Sequence, residues 1–245
     1  VDDPSAHQTI AGYDTVPYYP PSAAAAQRVR DHLTSWSFSK SVQTGAYATT
    51  DFDFEQPRKA LLGKATGREK YEQAKFEIFD YPAELQNAEK TETDRIAKIR
   101  LDELQATQLL ARGHGDAGGL ATGARFKLDN YEPRKQLNIE YLIVSSTLNV
   151  SVDGYQTAEA SPGTAELSVS VEAINAKTVY RARRITAKPV IQGAQTGMVV
   201  GKAGEEVWTD KFARVKVQFP WDRHGRSDEN SSCWVRVAQL WAGTK

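Results

Sequence analysis

Histidine and cysteine are the side chains best suited to metal binding and nucleophilic catalysis, and both are scarce in this sequence. No two histidines have the four-residue spacing that places a pair of zinc ligands on one helix face. The four are His7, His32, His114 and His224. The only cysteine, Cys233, excludes an internal disulfide and any site with several cysteine ligands. Its alternation with Val235 predicts a small buried side chain of a strand instead of a nucleophile.

Neighbouring carboxylates could act as the acid and the base of a sugar hydrolase. The adjacent pairs at 205–206 and 228–229 are candidates, but successive residues of a strand point to opposite faces, so neither pair can converge on one substrate. The glycine-rich segments at 113–115 and 201–204 lack the strand-turn-helix order of a phosphate-binding loop. We therefore predict no catalytic, cofactor-binding or metal-binding residue, no cofactor and no enzymatic activity.

Basic residues are concentrated toward the C-terminus, although the whole chain has 31 basic and 31 acidic residues. Between Lys177 and Arg226 we count 11 Lys and Arg against 4 Asp and Glu. Trp208, Trp221 and Trp234 lie in or near this stretch. On a small β-barrel, such side chains can stack bases and neutralise phosphates. One alternative function is therefore a basic aromatic module that binds single-stranded nucleic acid or glycan; the other interpretation is core or interface tryptophans beside solvated charges.

Strands must position most of these residues. Apolar and polar side chains alternate in four segments, which are residues 51–54, 76–81, 141–146 and 167–172. Asp153 and Gly154 predict a hairpin turn, and the 161–163 Ser-Pro-Gly segment predicts a loop. Beyond residue 180, four short strands without a helix signal predict a small β-barrel. These strands are expected at 196–200, 206–209, 214–219 and 232–240.

Two helices are expected among the strands. Ser22 as an N-cap, followed by apolar residues at three- and four-residue spacing, predicts a helix over about residues 22–36. A capping-box pattern and Gly113 predict a second helix over about residues 92–112. Apolar residues occupy two sides of this second helix, which is typical of a helix held between two layers. The predicted fold class is mainly β with a few helices (α+β).

The length of 245 residues suits one large or two smaller domains, and we predict two. With 40% hydrophobic and 25% charged residues, the composition is that of a globular protein and not of a disordered chain. No apolar run approaches the roughly 20 residues that span a bilayer, and no basic-then-apolar leader precedes Asp3. We expect a piece of a longer protein, because the chain opens without Met and stops inside a strand pattern.

The C-terminal region carries a series of motifs in a fixed order. They are QGAQT at 192–196, VVG at 199–201, GEEV at 204–207, RVKVQF at 214–219, WDR at 221–223, DENSSCWVRV at 228–237 and WAG at 241–243. This series closely resembles VgrG, the spike protein family of the bacterial type VI secretion system, at the barrel that joins its hub to its needle. Ala213 and Pro220 depart from residues that are frequent in the family. More loosely, DFDF at 51–54, DYP at 80–82 and YLIV at 141–144 are similar to the family's hub region, and to a tailed-phage baseplate hub.

The resemblance implies two domains and a mechanical role. Residues 1–180 would form a phage-hub-like region with a β-barrel-type domain, truncated at its N-terminus. Residues 181–245 would form an oligonucleotide/oligosaccharide-binding-type (OB-type) β-barrel, truncated at its C-terminus. VgrG-like proteins are homotrimers that dock on the hexameric Hcp tube and carry a needle, a PAAR tip protein and effector proteins.

The same resemblance implies where the protein acts. It would assemble in the bacterial cytoplasm and then be secreted to the extracellular space or into a target cell. Its role would be that of a structural protein that contributes to virulence. Nucleic acid and stable membrane anchoring are not expected. A cell-wall hydrolase spike is a further alternative, by analogy with phage spikes that carry a lysozyme domain.

Overall fold

A computed structural model describes residues 6–23, 30–67, 72–85, 87–152 and 165–238. The chain divides into two compact units, unit 1 (Val1–Arg184) and unit 2 (Ile185–Lys245). In chain order the elements are β1 (Thr15–Pro17), β2 (Leu33–Lys40), β3 (Ala46–Thr49), β4 (Gly63–Thr66), β5 (Glu77–Asp80), α1 (Lys90–Gln105), β6 (Leu109–Gly115), β7 (Arg125–Asp129), β8 (Glu140–Val152), β9 (Ala165–Asn175), β10 (Met198–Val200) and β11 (Lys216–Gln218). Short 3-10 helices cover Glu72–Lys75 and Glu132–Leu137. The predicted fold class, mainly β with a few helices, is confirmed.

Unit 1 is built on a six-stranded sheet in the order β1-β7-β8-β9-β6-β2. β1 runs parallel to β7, and the other neighbours are antiparallel. The sheet curls until its two edge strands meet, because Tyr18 after β1 forms a parallel bridge with Leu33 at the start of β2. The amide of Tyr19 donates to the Leu33 carbonyl oxygen over 2.9 Å. The six strands therefore enclose an interior, as a barrel-type unit requires.

The barrel interior is filled by alternate side chains of each strand, which point inward. In β9, Val169 and Val171 face inward and are buried, whereas Ser170 faces outward. The indole of Trp36 lies at the centre, with the Phe126 ring centroid at 5.8 Å and the Tyr141 ring centroid at 5.1 Å, both edge-on. Edge-to-face aromatic pairs at these distances add stability beyond their buried area.

The phenol of Tyr141 gives this core a pH dependence. Its hydroxyl donates to the Leu137 carbonyl oxygen over 2.9 Å, and burial raises its pKa to about 12. An acid whose folded-state pKa exceeds the ordinary value near 10 stabilises the fold fully below about pH 10, and this contribution is lost as the pH rises toward 12. We expect a loss of about 2 kcal/mol in the urea-derived free energy of unfolding between about pH 8 and about pH 11.5.

The control for this prediction is Tyr141→Phe, which cannot ionise. The free energy of unfolding of this variant should fall less over the same pH step. Some loss should remain, because other tyrosines also ionise. The pKa of Tyr13 is also raised, mainly by its hydrogen bond to Asp31, and that of Tyr47 is raised mainly by burial. Equal losses in the wild-type and Tyr141→Phe chains would show that Tyr141 does not carry the effect.

Residues 41–108, which we call the insertion, connect the antiparallel neighbours β2 and β6. They contain a three-stranded sheet in the order β4-β3-β5, on which α1 packs. Tyr47 of β3 with Ala97 and Leu101 of α1 forms the buried core of the insertion. The insertion is thus a small layered body that leaves and rejoins the barrel at the β2–β6 strand pair.

The predicted helix at 22–36 is wrong in its last part, where residues 33–36 begin β2. Residues 24–29 of that prediction lie outside the described residues. A β-bulge explains the error: the register shifts between Leu33 and Ser35, so Thr34 is an extra residue. Leu33 and Trp36 consequently both point into the barrel although they are three residues apart, a spacing that imitates a helix face.

The second predicted helix, at 92–112, is correct only as far as Gln105, because Leu109–Gly115 forms β6. Gly113, expected to end the helix, lies within β6 and faces the indole of Trp36. A Cβ at residue 113 would lie 2.6 Å from the Trp36 ring. The glycine is therefore required by close packing in the barrel and not by a helix end.

Within residues 185–238, unit 2 contains one antiparallel strand pair, with Val199 opposite Val217, and an isolated bridge between Val215 and Val235. The strand predicted at 206–209 is not formed, and the one at 232–240 is represented in its described part only by that bridge. The OB-type barrel therefore stays a prediction. The turn at Asp153 and the loop at 161–163 lie outside the described residues, and no helix in the described ranges is long and apolar enough to cross a membrane.

Candidate assembly surfaces

The histidines make separate local contacts. Nδ1 of His7 lies 2.9 Å from the Gly123 carbonyl oxygen, and that of buried His32 lies 3.1 Å from Asp116 Oδ1. Within the described ranges, no three His, Cys, Asp or Glu side chains are grouped to hold a metal ion. Cys233 is exposed, which corrects the prediction of a buried side chain. The strand expected to bury Cys233 is reduced to the bridge at Val235.

A polar groove of about 370 Å³ lies on the outer wall of the barrel, over β2, β6, β9 and β8. In it, His114 Nδ1 is 3.2 Å from Ser170 Oγ. A serine nucleophile needs a base that is itself oriented by a carboxylate. The nearby carboxylate of Glu172 is instead held by Arg112 Nε at 2.8 Å. The groove therefore does not assemble a Ser-His-acid relay.

The insertion carries a surface that is both acidic and apolar, the acidic-aromatic patch. Its two segments, 51–56 and 76–84, contain six Asp and Glu and no Lys or Arg. The acidic members are Asp51, Asp53, Glu55, Glu77, Asp80 and Glu84. Six large apolar side chains of the patch are 40–60% exposed: Phe52, Phe54, Phe76, Ile78, Phe79 and Tyr81. Contiguous exposed apolar side chains of this kind mark interaction sites.

The backbone explains why both segments are exposed. All four residues of β5 are exposed, and β5 is an edge strand of the three-stranded sheet, so Ile78 on one face and Phe79 on the other both reach solvent. Residues 51–54, predicted as a strand, form a loop. Asp51 Oδ2 accepts a 2.9 Å hydrogen bond from the Leu85 amide, which ties this loop to the segment that follows β5.

Buried polar contacts fix the segment that leads out of the barrel in unit 1. The carboxylate of Glu103, on α1 and nearly buried, pairs with Arg100 and accepts a 2.8 Å hydrogen bond from the Arg184 amide. The Arg184 guanidinium also lies 3.0 Å from Glu84. Nε of Arg100 also lies 3.5 Å from the Tyr47 hydroxyl. These bonds anchor the end of unit 1 to the insertion.

Unit 2 leaves most of its apolar side chains in solvent. Among its described residues only Val200 is buried. Nine large apolar side chains are exposed: Ile185, Val190, Ile191, Met198, Val199, Val207, Phe212, Trp221 and Val237. An apolar groove of about 520 Å³ is lined by Thr196, Gly197, Met198, Gln218, Phe219 and Pro220. A stable domain of about 60 residues buries roughly 60% of the surface of its unfolded chain, and the described residues of unit 2 do not supply such a core in a single copy.

The three tryptophans considered for base or sugar stacking, Trp208, Trp221 and Trp234, have different surroundings. The indole nitrogen of Trp208 is buried, and Lys216 Nζ lies 4.9 Å above the Trp234 ring. Trp221 is 63% exposed and stacks on Phe219 at 5.1 Å. Of these three rings, only that of Trp221 is largely open for stacking on a base or a sugar. The nucleic-acid or glycan alternative stays a prediction, as does the hydrolase alternative.

Residues 1–154 match the phage tail baseplate hub (GPD) family. Similar curated proteins include the type VI secretion system spike proteins VgrG1b and VgrG1c of Pseudomonas aeruginosa. Each is 40% identical over 97% of this chain, which covers 31% and 32% of their lengths. VgrG3 of Vibrio cholerae is 33% identical over 87% of this chain and 21% of its own length. The chain thus spans about a third of the length of the first two relatives.

A solved Escherichia coli component of the type VI secretion system, described as similar to the phage T4 tail proteins gp27 and gp5, has a TM-score of 0.45. It is 13% identical over 87% of this chain and 40% of its own. The family resemblance carried by the sequence motifs is confirmed by the relatives above. Because the match covers more than half of its residues, the chain belongs to the phage tail baseplate hub (GPD) family, and it is similar to VgrG spike proteins over nearly its whole length.

Proposed function

We propose that this chain is part of the trimeric puncturing spike of a bacterial type VI secretion system. In this proposal it docks on the Hcp tube and carries the needle, the PAAR tip and effectors. The observation that supports the trimer most is the exposed apolar surface of unit 2, in which Val200 is the only buried described residue. Identical copies arranged around a rotation axis would cover this surface equally in each subunit.

The β8–β9 pair offers a second surface for contact between copies. Leu148, Val150 and Leu167 lie on the same face as the buried Val169 and are 40–58% exposed. The apolar row of the barrel interior thus continues beyond the barrel. The only charged residue in 145–152 and 165–170 is a glutamate, so copies can meet along this row with little like-charge repulsion.

A mechanical role also fits the rest of unit 1. The curled sheet encloses an aromatic core, and the contacts of Glu103 with Arg100 and the Arg184 amide fix the exit segment to α1. Such a body can pass an applied load along the chain because its C-terminal segment is tied to a packed helix. No enzymatic step is part of this proposal. We further propose that the spike assembles in the bacterial cytoplasm and is then secreted out of the cell or into a target cell.

The proposal predicts that a charge placed on the exposed face of unit 2 blocks secretion. In a bacterium that encodes the protein, Val199→Asp should lower the amount of Hcp released into the medium by about tenfold or more. An uncompensated charge at the centre of an interface costs about 1.4 kcal/mol or more. Immunoblots of the medium and of the cells measure the release and the level of the variant.

Val42→Asp is the matched control, because Val42 is also exposed and lies in unit 1 outside the acidic-aromatic patch. This variant should release Hcp at the wild-type level. Normal Hcp release by Val199→Asp would argue against a spike in which copies cover unit 2.

A further inference from the structure

We infer that the acidic-aromatic patch of one copy docks into the apolar groove of unit 2 on a neighbouring copy. The inference rests on the proposed function, because it states which surfaces meet in the trimer. The groove is thus occupied by a second copy of this chain.

The apolar side chains of the patch are too concentrated to be ordinary surface residues. Single exposed apolar residues are common on soluble proteins, but here six lie within two short segments joined by the bond from the Leu85 amide to Asp51. Phe76 and Phe79 are among the most exposed of them. Phe, Tyr and Trp side chains are enriched in the cores of protein interfaces.

The charge of the patch disfavours contact between equivalent patches. Lys64 neutralises Glu77 at 3.2 Å, and Arg184 neutralises Glu84 at 3.0 Å. Asp51 and Asp53 accept hydrogen bonds from backbone amides, and within the described residues no cation pairs with either. Like charges brought together at an interface oppose association. Contact between three equivalent patches at a common axis is therefore disfavoured, and the patch suits a different surface.

The groove of unit 2 has the complementary properties. Its walls include Met198, Phe219 and Pro220, and its volume of about 520 Å³ accommodates an aromatic side chain. The exposed ring of Trp221 and the exposed Arg223 follow it directly in the chain. Between residues 185 and 226 there are seven Lys and Arg against four Asp and Glu. An acidic surface with aromatic projections thus fits an apolar recess in a segment with a net positive charge.

Contact between two different surfaces of identical chains is also compatible with a closed ring. Each copy would present one patch and one groove, and such head-to-tail contacts close when the rotation per copy is a third of a turn. In the closed trimer every groove is filled and every patch is covered. This geometry covers part of the exposed apolar surface of unit 2.

Cross-linking of two single-cysteine chains tests the contact. In a Cys233→Ser background, one chain carries Phe79→Cys in the patch and the other carries Met198→Cys in the groove. The two are mixed and treated with a short bismaleimide. Because each chain has one cysteine, any product that contains both joins different copies. We expect several-fold more of this product than when Val42→Cys replaces Phe79→Cys.

Charge reversal provides the second arm. Asp51→Lys with Asp53→Lys in the patch chain should reduce the mixed product several-fold, and Arg223→Glu in the groove chain should restore part of it. A yield equal to that of the Val42→Cys control overturns the inference. If the chain still sediments as a trimer in that case, the proposed function stands without this contact. A chain that stays monomeric up to the highest concentration and gives no mixed product contradicts both.

Discussion

Replacing Phe126 with alanine is expected to lower the free energy of unfolding of unit 1 by about 3 to 5 kcal/mol. The side chain is fully buried and packs against Trp36 and Tyr141 in the barrel interior. Its removal loses the transfer free energy of a whole ring and leaves a cavity that the surrounding strands cannot fill, because the sheet is curled and closed at one end. Urea denaturation followed by near-ultraviolet circular dichroism measures the change.

Phe79→Ala is the control for Phe126→Ala, since it removes the same side chain from an exposed position. Under conditions where the chain is monomeric, its effect should stay within about 0.5 kcal/mol. If Phe126→Ala cost less than about 1 kcal/mol, Phe126 would not lie in a tightly packed core.

The second large effect is expected for Arg100→Met, which should cost about 3 kcal/mol. This substitution preserves much of the side-chain volume but leaves the nearly buried Glu103 without its guanidinium partner. An uncompensated buried charge costs more than the ion pair itself contributes, so the double variant Arg100→Met with Glu103→Leu should recover much of the loss. The free energy of unfolding of the wild-type, single and double variants decides this.

Arg95→Met is the matched control on the same helix. Arg95 pairs with Glu92, also three residues away, but on an exposed part of α1. Its loss should cost less than about 1 kcal/mol. Equal effects of Arg95→Met and Arg100→Met would mean that burial does not distinguish the two ion pairs.

Sequence patterns predicted the strands of unit 1 best where one face is buried. The alternation at 141–146 and 167–172 lies in β8 and β9, and their inward rows line the barrel. The helix predicted over Trp36 failed because the bulge at Thr34 places residues three apart on one face. The position of a bulge is set by the partner strand, which the local sequence does not contain.

The acidic-aromatic patch was not recognised from sequence because alternation predicts a strand and does not say what covers its faces. In β5 both faces are exposed, so Ile78 on one face and Phe79 on the other are both available for contact. A signal was nevertheless present, since both patch segments alternate aromatic residues with acidic residues and contain no basic residue. Glu103 and the Arg184 amide are 81 residues apart in the sequence. Local spacing patterns do not predict contacts between residues so far apart.

Sedimentation equilibrium of the purified chain at tens of micromolar measures whether three copies of the chain associate, as the proposed spike requires. One chain has a mass of 27.1 kDa, and three copies together have about 81 kDa. We expect the weight-average mass to approach the three-copy value as the concentration rises, and Val199→Asp to shift it toward one copy. A mass of one copy at every concentration, with the amide protons of unit 2 protected from exchange in that single copy, would contradict a trimer in which copies cover unit 2.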